Sequence, residues 1–165
     1  MPADEYGRSL PSFSINLISA NLERAIPFYR DVLGAKIVFS DPDFVALELN
    51  GTAFMIHADH TYDRHPWYSR LTGKAERGLG AEIRIFGVDP DAVEARARAR
   101  GAAILHPAQD KPHGWREVIV ADPDGYAWGV GRAIKRLRRS GNGKIALHSL
   151  RELFTIQPQL ARRAG

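Results

Sequence analysis

Three histidines, His57, His60 and His65, fall within nine residues and are the side chains best suited to ligate a metal ion. A transition-metal site takes three or four donors held at fixed spacing by helices or strands. Only His57 lies in a predicted strand, and no carboxylate has a fitting spacing, so we expect loop residues rather than ligands. His106 and His113 flank a proline-containing loop and are interpreted in the same way. The chain has no cysteine, which excludes thiolate metal sites and a cysteine nucleophile.

Two pairs of polar residues stand two positions apart on predicted strands: Ser14 with Asn16, and Glu82 with Arg84. Strand residues two apart share a face, so each pair points to one side of its sheet. One interpretation is a hydrogen-bonding floor for an organic ligand. The other is a Glu82–Arg84 ion pair that neutralises itself in a groove, since buried charges need partners in either case.

Large aromatic side chains form the third candidate group. Stacking on tryptophan or tyrosine holds planar or cationic ligands, and Trp67 and Trp115 are expected to line a pocket. The alternative is that Trp115 belongs to the core or to a dimer interface. Trp128 lies on a strand predicted to face helices, and we expect it in the core.

The sequence predicts the same series of helix and strands at two places in the chain. A helix from the capping Asn21 to Gly34 is followed by strands, and so is a helix from Asp89 to Gly101. The two helix-ending glycines, Gly34 and Gly101, are 67 residues apart in the sequence. This spacing is too long for a solenoid repeat and indicates a duplicated module of strand, helix and three strands. Pro27 predicts a kink in the first helix or a loss of regularity in its first turn.

Composition and charge narrow the function classes. Residues 1–131 hold 14 Lys+Arg and 18 Asp+Glu, a net charge of −4, whereas residues 132–165 hold 9 and 1, a net charge of +8. The body therefore gives no electrostatic support for nucleic-acid binding, and a basic tail alone is more typical of a solvated extension. No apolar run is long enough to span a bilayer, and we expect a cytoplasmic protein.

The predicted organisation has two parts. Residues 1–132 form one domain, with modules at about 12–58 and 80–132 joined by a crossover at 59–79. Residues 133–165 form a basic linker and a helical extension, with the helix predicted over 144–162.

Two motifs carry a resemblance to a known family. They are Leu22-Glu-Arg-Ala-Ile-Pro-Phe-Tyr-Arg-Asp-Val-Leu-Gly34, and Gly114-Trp-Arg-Glu117 followed by Asp122-Pro-Asp-Gly-Tyr126. Over residues 12–132 the chain resembles the vicinal oxygen chelate superfamily, which includes glyoxalase I, bleomycin-resistance proteins and extradiol dioxygenases. The resemblance is closest in character to the bleomycin-resistance branch. It implies an α+β fold in which two paired βαβββ modules form a curled mixed sheet around a concave cavity.

The resemblance also implies where metal ligands would stand. The family's four ligand positions fall on Ser14, on Ile56 or its neighbour His57, on Glu82 and on Gly129. In the register that uses Ile56, only Glu82 can bind a divalent ion, and one carboxylate is not a site. We therefore expect no metal site and no cofactor, with a divalent metal ion as the alternative.

The leading interpretation is a metal-independent protein that sequesters a small organic ligand. Its pocket would be lined by the following residues: Ser14, Asn16, Trp67, Glu82, Arg84 and Trp115. The alternative is a glyoxalase-like lyase or isomerase, or a dioxygenase, with a displaced metal site or with Glu82 as general base. A third class is a structural or regulatory protein that acts through its tail. We predict a homodimer, because members of the superfamily often pair across a two-fold axis and the crossover carries Trp67 and Tyr68.

Overall fold

The chain, described here from a computed structural model, shows the predicted order of strand, helix and three strands twice. Residues 13–71 and 77–134 are described, with positions 5 and 8 and two short strands beyond residue 134. The first module comprises β1 (Asn16–Ser19), α1 (Leu22–Pro27), a π-helical segment (Phe28–Leu33), β2 (Lys36–Ser40), β3 (Phe44–Leu49) and β4 (Thr52–Ala58). A 3₁₀ turn (Asp59–Tyr62) and α2 (Tyr68–Leu71) follow. The second module comprises β5 (Glu82–Phe86), α3 (Pro90–Arg100), β6 (Ala103–Asp110), β7 (Trp115–Ala121) and β8 (Ala127–Ala133).

Each module contributes one four-stranded mixed sheet. The first sheet has the order β1-β4-β3-β2 and the second has the order β5-β8-β7-β6. In both, the first strand lies parallel to the last and the other neighbours are antiparallel. The duplicated α+β architecture predicted from the repeat is confirmed, and it takes the form of two separate open sheets.

Local chemistry explains the first helix. The side chain of Asn21 accepts a hydrogen bond from the Arg24 backbone N–H at 2.9 Å and caps α1. Pro27 has no backbone N–H to donate, and at this residue the α-helix gives way to the π-helical segment. Gly34 ends the helix in the left-handed conformation, with φ of 81°. Of the kink or loss of regularity predicted at Pro27, the structure shows a loss of regularity, as a change of helix type.

Two short sequences fix the register of the sheets. Asn50 and Gly51 both have positive φ and make the two-residue turn between β3 and β4. In the second module, Asp122 accepts hydrogen bonds from the backbone N–H groups of Asp124 and Tyr126, at 3.0 and 2.9 Å. These bonds fold the turn between β7 and β8, so that both hairpins agree with the sequence prediction.

The core lies between the two modules. The helices pack together, and the Arg96 side chain donates a 2.9 Å hydrogen bond to the Val32 backbone oxygen. At the centre stand Tyr29, Phe54 and Trp128, whose ring centroids lie 5.5 to 5.9 Å apart. Trp128 is 2% exposed, so its predicted core position is confirmed.

The crossover between the modules is anchored by one buried arginine. Arg77 is 8% exposed, and its two terminal nitrogens bond the carboxylate of Asp59 at 2.6 and 2.7 Å. The same side chain donates to the backbone oxygens of Ile18 and Leu71. Arg77 therefore ties both ends of the 59–71 segment to β1.

Little of the tail is described. Arg138–Arg139 and Ile145–Ala146 form a short antiparallel strand pair, β9 and β10. The helix predicted over 144–162 otherwise falls outside the described residues. Within the described part of the chain, no helix has the length and apolar character needed to cross a membrane.

Candidate functional site

The alternation of side chains along the strands gives each sheet one face toward the core and one face away from it. Ile15 and Ile83 pack against the core between the modules. The residues on either side of them in sequence therefore point the other way. We call the side that carries Ser14, Asn16, Met55 and His57 the first open face. The side that carries Glu82, Arg84, Phe86, Trp115 and Glu117 is the second open face.

A hydrogen-bonded triad occupies the first open face. Asn16 lies on β1 and His57 on the neighbouring β4, and His57 Nδ1 stands 2.7 Å from Asn16 Oδ1. The amide nitrogen of Asn16 donates to the hydroxyl of Tyr62. Because Asn16 Oδ1 only accepts, His57 Nδ1 must carry the proton, and Nε2 of the neutral ring is left as an acceptor.

Partial burial keeps this imidazole neutral. Desolvation lowers the pKa of His57 from its ordinary value of 6.5, and the charge of Asp41 opposes this only in part. At neutral pH the ring is therefore a hydrogen-bond acceptor through Nε2 and a potential proton acceptor.

Aromatic side chains run in a row from β2 across the first open face to the crossover. Neighbouring ring centroids in the row lie 5.1 to 5.6 Å apart. Its members, in order, are Phe39, Phe44, His57, Tyr62, His65 and Trp67. Trp67 ends the row and is 59% exposed, so a large apolar surface remains open to a ligand or a partner.

Charged side chains neutralise one another on the second open face. Arg84 Nη1 lies 2.8 Å from Glu82 Oε1, and Arg84 Nη2 bonds the carboxylate of Glu117. Lys111 Nζ is 3.8 Å from the other oxygen of Glu117. The predicted Glu82–Arg84 pair is therefore formed and extends into a network of two cations and two carboxylates.

A glycine makes room for this network. A Cβ built at Gly129 would fall closer to Glu82 Oε1 than any real Cβ contact and 3.6 Å from Arg84 Cζ. The Glu82 carboxylate thus lies directly over the backbone of β8. Gly129 is one of the positions at which the resemblance implies a metal ligand, and here the space for that side chain is filled by Glu82.

An aromatic pair borders the charged network. The rings of Phe86 and Trp115 meet edge to face at 5.4 Å. The guanidinium of Arg84 lies 5.8 Å from the centroid of Phe86, within the range of a cation–π contact. Phe86 is 57% exposed, so this aromatic edge is also available for contact.

The structure separates the two candidate registers of the fourth strand. Ile56 is 1% exposed and belongs to the core, whereas His57 lies on the first open face. The expectation that places a ligand on Ile56 is wrong, because that side chain faces the helices. His57 lies in β4, as its predicted strand position requires, whereas His60 is exposed and pairs with Asp43 at 2.9 Å.

The residues at the four implied ligand positions do not fit a metal site. Ser14 donates its hydroxyl hydrogen to the Ala53 backbone oxygen, Glu82 is paired with Arg84, and Gly129 has no side chain. His57 supplies one imidazole nitrogen, Nε2, which is too few for a metal site even with the Glu82 carboxylate. Among the described residues, no group of three or more His, Asp or Glu side chains is placed to hold a metal ion.

The six predicted pocket residues fall into two groups within one chain. Ser14 and Asn16 lie on the first open face, and the aromatic row links Trp67 to them. The other three, Glu82, Arg84 and Trp115, lie on the second open face. The core separates the groups, because both faces point away from it.

Sequence reasoning missed five residues of these two groups. Phe39, Phe44 and Tyr62 complete the aromatic row, and Lys111 and Glu117 complete the charged network. Glu117 stands two positions after Trp115 on the same strand, so alternation was enough to place it. Tyr62 carried no such signal, because its position depends on the path of the crossover.

Two mycobacterial proteins have sequences similar to this chain. An uncharacterized protein of Mycobacterium bovis is 26% identical over 133 residues, which cover 77% of this chain and 86% of that protein. An uncharacterized protein of Mycobacterium tuberculosis is also 26% identical over 133 residues, and these cover 77% of both chains. These relatives share most of the chain without indicating an activity.

Solved structures share the fold. A glyoxalase-related enzyme from Fulvimarina pelagi superposes with a TM-score of 0.61 at 21% identity, covering 84% of this chain and 99% of that one. Lactoylglutathione lyase from Agrobacterium tumefaciens has a TM-score of 0.55 at 20% identity, covering 74% and 94%. The fosfomycin resistance protein FosX from Listeria monocytogenes has a TM-score of 0.57 at 16% identity, covering 74% and 93%.

The family assignment has two supports. The two βαβββ modules are the architecture of these structures. Residues 13–130 match one family over most of the chain. The chain therefore belongs to the Glyoxalase/Bleomycin resistance protein/Dioxygenase superfamily.

Proposed function

We propose that this protein binds a small, planar organic ligand and sequesters it without a metal ion. The observation that carries the proposal is the aromatic row on the first open face. Rings that present both faces and edges bind flat molecules through dispersion and quadrupole interactions. The three polar side chains beside the row, Asn16, His57 and Tyr62, supply directional hydrogen bonds.

The triad favours a particular polarity in the ligand. Nε2 of His57 is an acceptor in the tautomer that Asn16 fixes. A ligand that stacks on the row therefore gains most by presenting an N–H or O–H donor toward this nitrogen. Flat heteroaromatic compounds with such a donor fit this description.

The chemistry of the donor set supports metal independence. With His57 in place of Ile56, the four implied ligand positions supply one imidazole, from His57, and one carboxylate, from Glu82. This count is the same whether the modules pair within one chain or between two. A transition-metal site needs three or four protein donors. We therefore propose that the protein has no resident metal ion or other cofactor.

A second copy of the chain completes the proposed site. Each open face is half of a cavity, and one chain turns its two faces away from each other. In a homodimer, the first open face of one protomer would meet the second open face of its partner. The exposed rings of Trp67 and Phe86 suit such an interface, since aromatic residues are enriched at interface cores.

The domain division is part of the proposal. Residues 1–132 would form the binding domain, and residues 133–165 a basic extension that binding does not require. Deleting residues 135–165 should leave both ligand binding and dimer formation unchanged. Loss of either property would assign a role to the tail and support the third function class.

A thermal-shift screen tests the binding proposal, because a ligand of the folded state raises Tm. Suitable probes are glycopeptide antibiotics, planar aromatic drugs and α-oxo compounds. A compound that raises the Tm of the native protein should have little effect on Trp67→Ala or Tyr62→Ala. Arg98→Ala, an exposed change on α3, is the matched control and should respond like the native protein. If Trp67→Ala and Tyr62→Ala kept the full shift, the aromatic row would not be the site.

Two further measurements complete the test. Metal analysis of protein purified without chelator should find no stoichiometric divalent ion, and finding one would overturn metal independence. Light scattering at micromolar concentration should give twice the 18.3 kDa mass of the chain. A mass equal to that of one chain would remove the shared site.

Proton-transfer chemistry is the second candidate, and the triad of the first open face favours it. An oriented neutral imidazole is a common general base. Glu82, the base expected from the sequence, shares its carboxylate with Arg84. If an α-oxo substrate turns over, His57→Gln should abolish turnover while Glu82→Gln leaves most of it. The opposite result would restore Glu82 as the base.

A further inference from the structure

A cavity of about 510 Å³ lies where the first helix meets the C-terminal end of α3, and we call it the α1–α3 cavity. Residues of α1 and of the π-helical segment form one wall. The last residue of α3, the start of β6 and the end of β7 form the other. Sites for small molecules typically have volumes of about 300–1,000 Å³. The cavity shares no lining residue with the aromatic row or with the charged network, so it is a separate candidate site.

Two arginines bring positive charge to this cavity. Arg24 on α1 and Arg100 at the end of α3 both line it. Polar atoms make up most of its exposed wall, and the one other charged side chain in the lining is that of Asp122. The guanidinium of Arg24 has no hydrogen-bond or ion-pair partner among the described residues. Its N–H donors are therefore available to a ligand.

The neighbouring carboxylates do not cancel this charge. Asp31 accepts from Arg100 at 2.9 Å and also binds Arg30 at 2.7 and 2.9 Å, so one carboxylate serves two guanidinium groups. Asp122 is 5% exposed, and its oxygens accept hydrogen bonds from the Tyr29 hydroxyl and from two backbone N–H groups. Little of Asp122 is accessible to a ligand, and the arginines around the cavity outnumber the two carboxylates.

The end of α3 opposes an anion only weakly. The C-terminus of a helix carries partial negative charge on its unpaired carbonyl oxygens. Here the backbone N–H of Gly101 bonds the oxygens of Ala97 and Arg98, and the N–H of Ala102 also bonds the Ala97 oxygen at 2.9 Å. The positive charge of Arg100 offsets what remains.

We propose that the α1–α3 cavity binds a compact organic carboxylate, with the carboxylate on Arg24 and Arg100 and the apolar body against the first helix. A guanidinium donates two parallel N–H bonds to a carboxylate, and such charged bonds are stronger than neutral ones. Pro27, Phe28 and Val32 give the cavity an apolar side. A ring placed against that side would leave water, which adds to the binding free energy.

Titration with benzoate, followed by ¹H–¹⁵N nuclear magnetic resonance, tests the proposal. The backbone amides of residues 101–103 report on the cavity, because all three residues line it. Benzoate should shift these amide signals in a saturable manner. Benzamide has nearly the same shape but no charge. It should bind about tenfold more weakly, because it lacks the charge that strengthens hydrogen bonds to guanidinium groups.

Three substitutions separate the two arginines from a general effect of charge. Arg24→Gln and Arg100→Gln, both at exposed positions, should each weaken benzoate binding about tenfold. Arg98→Gln removes the same charge from an exposed residue of α3 that does not line the cavity, and this control should bind benzoate like the native protein. The proposal is overturned if benzoate gives no saturable shift of residues 101–103, if benzamide binds equally well, or if either cavity variant binds benzoate as tightly as the control.

Discussion

His57 on β4 and Asn16 on β1 are joined side chain to side chain, with Nδ1 of the imidazole 2.7 Å from Oδ1 of the amide. The two strands are parallel neighbours, and the bond crosses between them on the first open face. It selects one tautomer of the ring, because an amide oxygen accepts and does not donate. The chemical character of this face therefore depends on a single amide.

Replacing Asn16 should remove the preference of His57 for one tautomer. In Asn16→Ala, His57 loses the acceptor for its Nδ1 proton and should populate both neutral tautomers. The ¹⁵N chemical shifts of the imidazole report this directly. The ring of His60, which pairs with Asp43, provides an internal control that should not change. Unchanged His57 shifts in the variant would mean that another group fixes the tautomer.

The stability of the protein should fall as pH decreases below about 6.5, in part because of His57. Desolvation lowers the pKa of His57 from its ordinary value of 6.5, so below that pH the unfolded chain binds a proton that the folded ring resists. Stability is therefore full above pH 6.5 and is lost toward acid. Chemical denaturation between pH 5 and 8 should show a weaker pH dependence for His57→Gln. An identical slope would exclude this contribution.

Tyr29 and Asp122 should make a stability contribution that depends on pH. The buried tyrosine donates its hydroxyl hydrogen to the Asp122 carboxylate and links the first helix to the last hairpin. Burial raises the pKa of Asp122, and the bond from Tyr29 opposes that rise. Tyr29→Phe should therefore cost about 2 kcal/mol at neutral pH, where the carboxylate is charged. Without the bond, the pKa of Asp122 should be higher in the folded variant than in the native protein, so protonation offsets part of the loss and the cost should shrink as pH falls toward 4.

Urea denaturation at pH 7 and pH 4 measures both costs. Phe28→Leu, a change in a neighbouring buried ring that donates no hydrogen bond, is the control and should cost the same at both values. A cost of Tyr29→Phe that does not change with pH would show that the hydroxyl does not stabilise the charged form.

Gly129 and Glu82 should be energetically coupled. A methyl group at position 129 displaces the Glu82 carboxylate, and with it the contact to Arg84. Because the displaced atom is the end of a flexible side chain, Gly129→Ala should cost less than about 1 kcal/mol. In the Glu82→Ala background the same change should cost nothing. A double-mutant cycle with a coupling of zero would show that the carboxylate does not lie over the glycine.

Arg77 should control the crossover. Arg77→Ala leaves Asp59 and the Ile18 carbonyl without their buried partner and should cost about 3 kcal/mol. It should also speed amide exchange in residues 59–71, because Arg77 bonds both ends of that segment. Arg98→Ala removes an exposed helical pair and is the control. Equal exchange rates in the two variants would contradict the anchoring role.

The sequence by itself determined the local elements and their repetition. Capping at Asn21 and Asp89, the break at Pro27, and the Asn50–Gly51 turn depend on interactions within a few residues. These interactions are encoded where they act, so helices and hairpins could be placed before the fold was known. The alternation of polar and apolar residues likewise showed that Glu82 and Arg84 share a face.

Only the tertiary structure decided how these faces are used. The choice between Ile56 and His57 depended on which side of β4 meets the helices. A register shift of one residue would move every side chain of that strand to the opposite face of the sheet. The join between Tyr62 and Asn16 spans 46 positions and depends on the path of an irregular crossover. The separation of the six predicted residues onto two faces follows from the packing of one module on the other. Long-range packing of this kind leaves no periodic trace in the sequence, because it depends on contacts between residues far apart in the chain.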